Sequence, residues 1–162
     1  MEIKTPDNPG RSATARVKNP LPAPTICRFC SGSVRVAGHA EIYGGREFSD
    51  WPYVYLCDSC AAYVGLHPFT AIPLGTLADE PTRKARKECK PYFERLFNRK
   101  LKVSGLTVPQ RFETMDRNGA YSWLADQMQI PVAECHFGWF NIEQCQKAKA
   151  ICISFFSTLT HK

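Results

Sequence analysis

Four cysteines in two Cys-x-x-Cys pairs, Cys27/Cys30 and Cys57/Cys60, constrain this chain more than any other feature. Each pair presents two thiolates from one tight turn, and together they supply the four sulfurs that a tetrahedral zinc ion takes. Two such knuckles separated by a few strands make a zinc ribbon, so the spacing predicts one structural zinc and a local fold together. Residues 1–25 are polar, proline-rich and basic, with no apolar signal core after Met1. No run of about 18 apolar residues suggests a membrane span. The expectation is a cytoplasmic, reducing setting without a membrane partner, where paired thiols favour metal over disulfide. A redox role would call for a βαβ setting, which neither pair has.

The 162 residues suffice for one compact unit with a tail, or for two small modules. Apolar content of 44% with ten Phe, six Tyr and three Trp marks a globular chain. The formal charge of +6 is concentrated. Residues 83–102 hold nine basic residues against Glu88 and Glu94, a net of +7, so the remainder sums to −1. A local basic stretch is the usual electrostatic footprint of a polyanion partner.

Residues 1–25 carry five prolines and few large apolar groups, and are read as a flexible tail. The ribbon is expected over 26–67. Gly32 is expected to supply the positive φ of the first knuckle, and strands are expected at Ser33–Ala37, Tyr53–Leu56 and Ala61–Gly65. Three short strands bury too little surface alone, which is why the zinc is needed. Tyr53 and Tyr55 are offered either to packing or to base stacking, with packing favoured.

The remaining residues, 68–162, read as a helical region packed on the ribbon. Thr76 or Asp79 can cap a helix over 81–97. Ala85, Cys89, Tyr92, Phe93 and Leu96 share one side of its wheel, and Arg83, Lys84, Arg86, Lys87 and Lys90 form a basic stretch, four of them at one-face spacing. Pro91 predicts a kink or restart. Residues 99–113 read as a connector, Asp116–Met128 as a helix and Pro131–Cys135 as a short turn. Asn141 caps the last helix with Gln144 as its capping-box partner. Its apolar stripe is Ile142, Cys145, Ala148, Cys152, Phe155 and Leu159. The order invites a helix-turn-helix comparison, but only Lys147 and Lys149 lie on the last helix's polar side, so a structural helical pair is the better reading.

These motifs add up to a resemblance. The paired cysteines, Glu41-Ile42-Tyr43-Gly44, and Tyr55-Leu56-Cys57 running through Cys60 to Tyr63-Val64-Gly65 and His67 resemble a family of bacterial and bacteriophage zinc-ribbon proteins of unknown function. Pro73 to Asp79 looks like that family's loop into its basic helix. Ala120-Tyr121-x-Trp123-Leu124-Ala125 and Cys135-His136-x-Gly138-x-Phe140 through Cys145 look like its C-terminal signature. The likeness spans about residues 26–150, with Arg28 where a proline often leads the first knuckle. It implies a zinc site and a phage or prophage origin, hence a bacterial host cell, and no established activity.

Zinc-stapled nucleases have the same cysteine pairs, but they need a histidine base beside further His, Asp or Asn ligands. Here His39 and His67 stand alone, and a four-thiolate zinc has no open position. Cys135, His136 and Cys145, with Cys89 or Cys152, are carried as a second metal set, against the reading of buried thiols as small hydrophobes. No phosphate loop, nucleophile elbow or paired carboxylate stands out, and no small-molecule substrate is expected. The fold expected is α+β: a three-stranded zinc ribbon packed with a basic amphipathic helix and a C-terminal helical pair. The function expected is non-enzymatic nucleic-acid binding through Arg83, Lys84, Arg86, Lys87 and Lys90, with Arg35 or the tail assisting. The alternative is a phage-encoded adaptor or inhibitor docking on a host protein of transcription, replication or defence through the basic helix or exposed Trp51 and Trp139.

Overall fold

Alternating apolar residues flanking the cysteine pairs produce a small antiparallel sheet. A computed structural model describes residues 2–160, with α1 at Arg11–Arg16, β1 at Val34–Gly38, α2 at His39–Ile42, β2 at Tyr53–Cys57 and β3 at Tyr63–Gly65. Then follow α3 at Glu80–Glu94, α4 at Arg117–Met128, 3-10 turns at Val132–Glu134 and Phe137–Trp139, and α5 at Ile142–Thr160. The chain divides into two compact units, residues up to Glu80 and residues from Pro81 onward. No helix among the described residues is long and apolar enough to cross a membrane.

In the first unit the sheet order is β1-β2-β3, both pairings antiparallel, with Val34 opposite Cys57 and Tyr55 opposite Val64. This register sets both knuckles at one end of the sheet. The third strand starts two residues later than expected. Ala61 has a φ of 63°, and a left-handed residue cannot join an extended ladder. One face of the sheet buries Trp51, Tyr55, Val64, Leu66 and Leu77 together with Cys27 and Cys57. Tyr55 is buried, its hydroxyl donating to the Ala71 carbonyl, so it packs and does not offer a stacking platform.

Residues 1–25, expected as a flexible tail, contain α1 and make defined contacts. The Gly10 amide donates to the Phe69 carbonyl at 2.8 Å, Pro6 is buried, and the Val34 amide donates to Thr25. Five prolines lower the entropy this stretch loses on ordering, an effect that a count of apolar residues does not register.

The second unit is helical. α3 buries Thr82, Ala85, Cys89 and Phe93 at intervals of three and four, and runs through Pro91 without interruption. Pro91 lies in the last turn, where its missing amide removes a single hydrogen bond near an end that frays in any helix. α4 starts where Asp116 caps the Gly119 amide at 3.1 Å. α5 starts on the reciprocal capping box, with the Gln144 amide donating to Asn141 Oδ1 at 2.8 Å and the Asn141 amide donating to Gln144 Oε1 at 3.0 Å. α4 and α5 pack as the expected pair, with Leu124, Cys145, Ala148, Cys152 and Phe156 in the shared core.

Candidate metal centre

The two knuckles have the same local construction. In the first, the Cys27 amide donates to the Gly32 carbonyl at 2.8 Å and the Ser31 amide to the Cys27 carbonyl at 2.9 Å. In the second, the Cys57 amide donates to Ala62 at 2.9 Å and the Ala61 amide to Cys57 at 3.1 Å. The amides of Phe29 and Ser59 each point at the sulfur of the leading cysteine, at 3.4 Å. N–H groups aimed at sulfur favour the thiolate, the form a metal requires. Backbone donation, from Cys60 above all and then Ser59, pulls the Cys57 thiol down to about 7 despite its burial.

All four Sγ atoms lie within 4.8 Å of one another, with Cys27–Cys60 at 3.6 Å and Cys30–Cys57 at 3.4 Å. A tetrahedron with Zn–S bonds of about 2.3 Å has sulfur–sulfur edges of about 3.8 Å, so the donor set fits zinc in type and in spacing. Cys27 and Cys57 are buried in the sheet core, and Cys30 and Cys60 are exposed. Four thiolates close the coordination shell, which makes this one structural zinc site.

The positive φ expected at Gly32 belongs instead to Ser31, at 64°, matched by Ala61 in the other knuckle. Gly32 is needed for a different reason. A Cβ there would lie 2.5 Å from Ser59 Oγ, 2.9 Å from Ser59 Cβ and 3.1 Å from Cys57 Sγ. The knuckles therefore meet across a glycine. Gly32→Ala is expected to push them apart, destabilising the first unit by about 1–3 kcal/mol and weakening zinc binding by roughly tenfold. Chelator competition measures it, and Ser59→Gly in the same chain restores affinity by removing the obstruction. Unchanged zinc affinity in Gly32→Ala would show that the contact is not limiting.

The basic stretch is divided in the structure. Lys84, Lys87 and Lys90 are exposed, whereas Arg83 and Arg86 are half-buried and engaged. Arg86 Nε donates to the Phe140 carbonyl at 2.9 Å, so one of the five cations braces the helical core. Arg35, expected to assist, pairs with Glu41 and Asp58, each at 2.8 Å. That pairing, with the Gly38 amide, holds the Glu41 carboxyl below its usual range. Arg35 thus links β1 to α2 and to the second knuckle. Trp51, expected to be exposed, is 5% exposed, its indole N–H donating to the Thr70 carbonyl at 3.0 Å. An apolar ring with one satisfied polar atom belongs in the core, and Trp139 is half-buried.

Cys135, His136 and Cys145 do not gather into a second donor cluster; among the described residues the quartet above is the one group of three or more. Cys89, Cys135, Cys145 and Cys152 are all buried in the apolar core of the second unit. Burial pushes Cys135 and Cys145 up to about 11 and Cys152 up to about 12, so these thiols stay protonated and act as small apolar groups. His136 packs its ring on Trp139, centroids 4.8 Å apart. The role of Gly32 and the left-handed Ser31 carry no sequence signal, because both depend on where the other knuckle sits.

No curated protein and no solved structure matches this chain. Residues 23–154, most of its length and including all four zinc ligands, match a family described as zinc-finger-containing. The paired knuckles, the four clustered sulfurs and this match together place the chain in the DUF3268 family of zinc-finger-containing domains.

Proposed function

We propose that this is a non-enzymatic zinc-ribbon protein that binds nucleic acid through α3, in the cytoplasm of a bacterial host and encoded by a phage or prophage. The observation that carries the reading is the exposed row Lys84, Lys87 and Lys90. Lys84 has Glu88 at 4.0 Å, and Lys87 and Lys90 have no carboxylate within that distance among the described residues. Three exposed ammonium groups along one helix, of which only that of Lys84 has a carboxylate as near as 4.0 Å, suit a phosphate backbone, to which lysine acts as a point charge. Arg86 braces the same helix through its bond to the Phe140 carbonyl. The zinc supports the scaffold and takes no part in chemistry, since four thiolates leave no position for water.

Fluorescence anisotropy with single- and double-stranded DNA and RNA tests this. Binding is expected to weaken steeply with salt, and changing Lys84, Lys87 and Lys90 to Glu is expected to lower the slope of log K against log[salt] by about 2–3. Arg86 is left intact, because its loss removes a brace as well as a charge. Absence of binding at low salt, or indifference to the triple reversal, retires the reading.

A second reading, an adaptor that docks on a host protein, is favoured by the apolar groups exposed on the first unit, with Ile26 at 68% and Phe48 at 63% exposure. Recovery of one host protein after nuclease treatment, lost on Phe48→Ser, favours it over nucleic-acid binding.

A further inference from the structure

The loop that joins α2 to β2 is tied to the sheet through one histidine ring. It leaves α2 over Gly44 and Gly45, with φ of 62° and 88°, and re-enters the sheet after Pro52. The Gly45 amide donates to the Ala40 carbonyl at 2.9 Å, which fixes the start of the loop. Further along, the amides of Glu47, Ser49 and Asp50 make no hydrogen bond among the described residues. The Phe48 amide between them donates to His39 Nδ1 at 3.2 Å. His39 is a firm anchor: its own amide donates to the Pro52 carbonyl at 2.8 Å, and its carbonyl accepts from the Tyr43 amide at 2.9 Å. Tyr43 lies edge-on to both partners, its ring centroid 5.4 Å from that of His39 and 4.9 Å from that of Phe48.

A backbone amide can only donate, so Nδ1 holds a lone pair and the imidazole is the neutral form with its proton on Nε2. An imidazolium carries a proton on both nitrogens and would set one N–H against another. We propose that His39 is a pH-sensitive latch, which holds the Phe48 loop closed while the ring is neutral and releases it on protonation. The stabilisation is present at the alkaline end and is lost as pH falls through the range, about 8 to 5, in which histidines change charge. Among the described residues no carboxylate lies within 4.0 Å of the ring to hold an imidazolium in place. Glu41, on the same helix, is engaged by Arg35 and the Gly38 amide. Arg46, Glu47 and Asp50 of the loop are exposed. From the sheet, Tyr63 meets Tyr43, Tyr53 packs on Trp51, and Arg35 and Asp58 pair with each other. The latch contains no zinc ligand, and it positions the Phe48 ring whether or not a host protein docks there.

The test is an NMR titration of the full chain from pH 8 to 5 in saturating zinc. The Trp51 indole resonance serves as a control that the zinc-held sheet stays folded throughout. At pH 8 the imidazole ¹⁵N shifts of His39 are expected to report a bare Nδ1 and a protonated Nε2. On acidification the Phe48 amide shift is expected to follow the His39 ring with the same midpoint. Its protection against exchange, corrected for the intrinsic rate, should fall about tenfold, and the Phe48–Tyr43 ring contacts should weaken. His39→Asn places a non-titrating amide oxygen where Nδ1 stands, and should keep the Phe48 amide protected across the whole range. His39→Ala should leave it unprotected at every pH. A proton on Nδ1 at pH 8, or a Phe48 amide unmoved while the ring of His39 protonates, overturns the proposal. So does a Phe48 amide in His39→Asn that follows the pH course of the wild type.

Discussion

Removing zinc is expected to unfold the first unit and leave the second folded. Three strands of five, five and three residues bury little, and two of the eight residues in the larger core cluster there are the metal ligands Cys27 and Cys57. In small zinc domains the metal's binding free energy, about 10–16 kcal/mol, is the folding free energy. Without the ion, four thiols within 4.8 Å have no bond to hold them, and the turns at Ser31 and Ala61 keep left-handed strain with nothing to offset it. The second unit carries its own core of Phe93, Leu96, Leu124, Phe140 and Phe156 and holds no member of the quartet. Chelation should therefore shift the Trp51 indole resonance, now bonded to Thr70, to its random-coil position while helical circular dichroism largely persists. Cys57→Ser should reproduce the effect. Lower pH should weaken zinc binding, because every ligand must lose a proton to coordinate. A Trp51 resonance unmoved in verified zinc-free protein would show that the sheet folds without the metal.

Phe156→Ala is expected to cost about 3–5 kcal/mol, and Phe155→Ala considerably less. Phe156 is fully buried, with Phe112 and Phe155 ring centroids 5.1 and 5.5 Å away, so truncation leaves a cavity that a helix-packed core closes only partly. Phe155 is half-buried, edge-on to Phe112 and tilted against Trp123, and its site opens to solvent. Urea denaturation of the zinc-loaded variants, read by helical circular dichroism, measures both. A larger loss in Phe155→Ala would mean that α5 presents a different face to the core.

That pair of residues shows how far a helical wheel reaches. The spacing of Cys145, Ala148 and Cys152 puts Phe155, three residues on, in the apolar stripe, whereas the folded chain buries Phe156, four residues on, and leaves Phe155 half-buried. The folded core makes the choice, holding Phe156 fully buried with Phe112 5.1 Å away and leaving Phe155 half-buried against Phe112 and Trp123. Arg86 is a parallel case. On the wheel it joins the basic residues, and in the folded protein its Nε is drawn to a carbonyl that arrives 54 residues later in the chain. Arg35 likewise finds Glu41 and Asp58 only once β1 and the second knuckle are paired.

Local rules made the zinc ligands, the strand positions, α4 and the α5 capping box readable from residues alone. Each depends on partners within a few positions, or on a metal whose coordination demands four thiolates whatever the fold. The left-handed Ser31, the need for Gly32, the burial of Trp51 and the engagement of Arg35 and Arg86 came from the folded chain. Those features arise where segments distant in sequence compete for the same space or the same carbonyl. Periodicity and spacing describe one segment at a time, whereas steric exclusion and hydrogen-bond satisfaction are settled between segments.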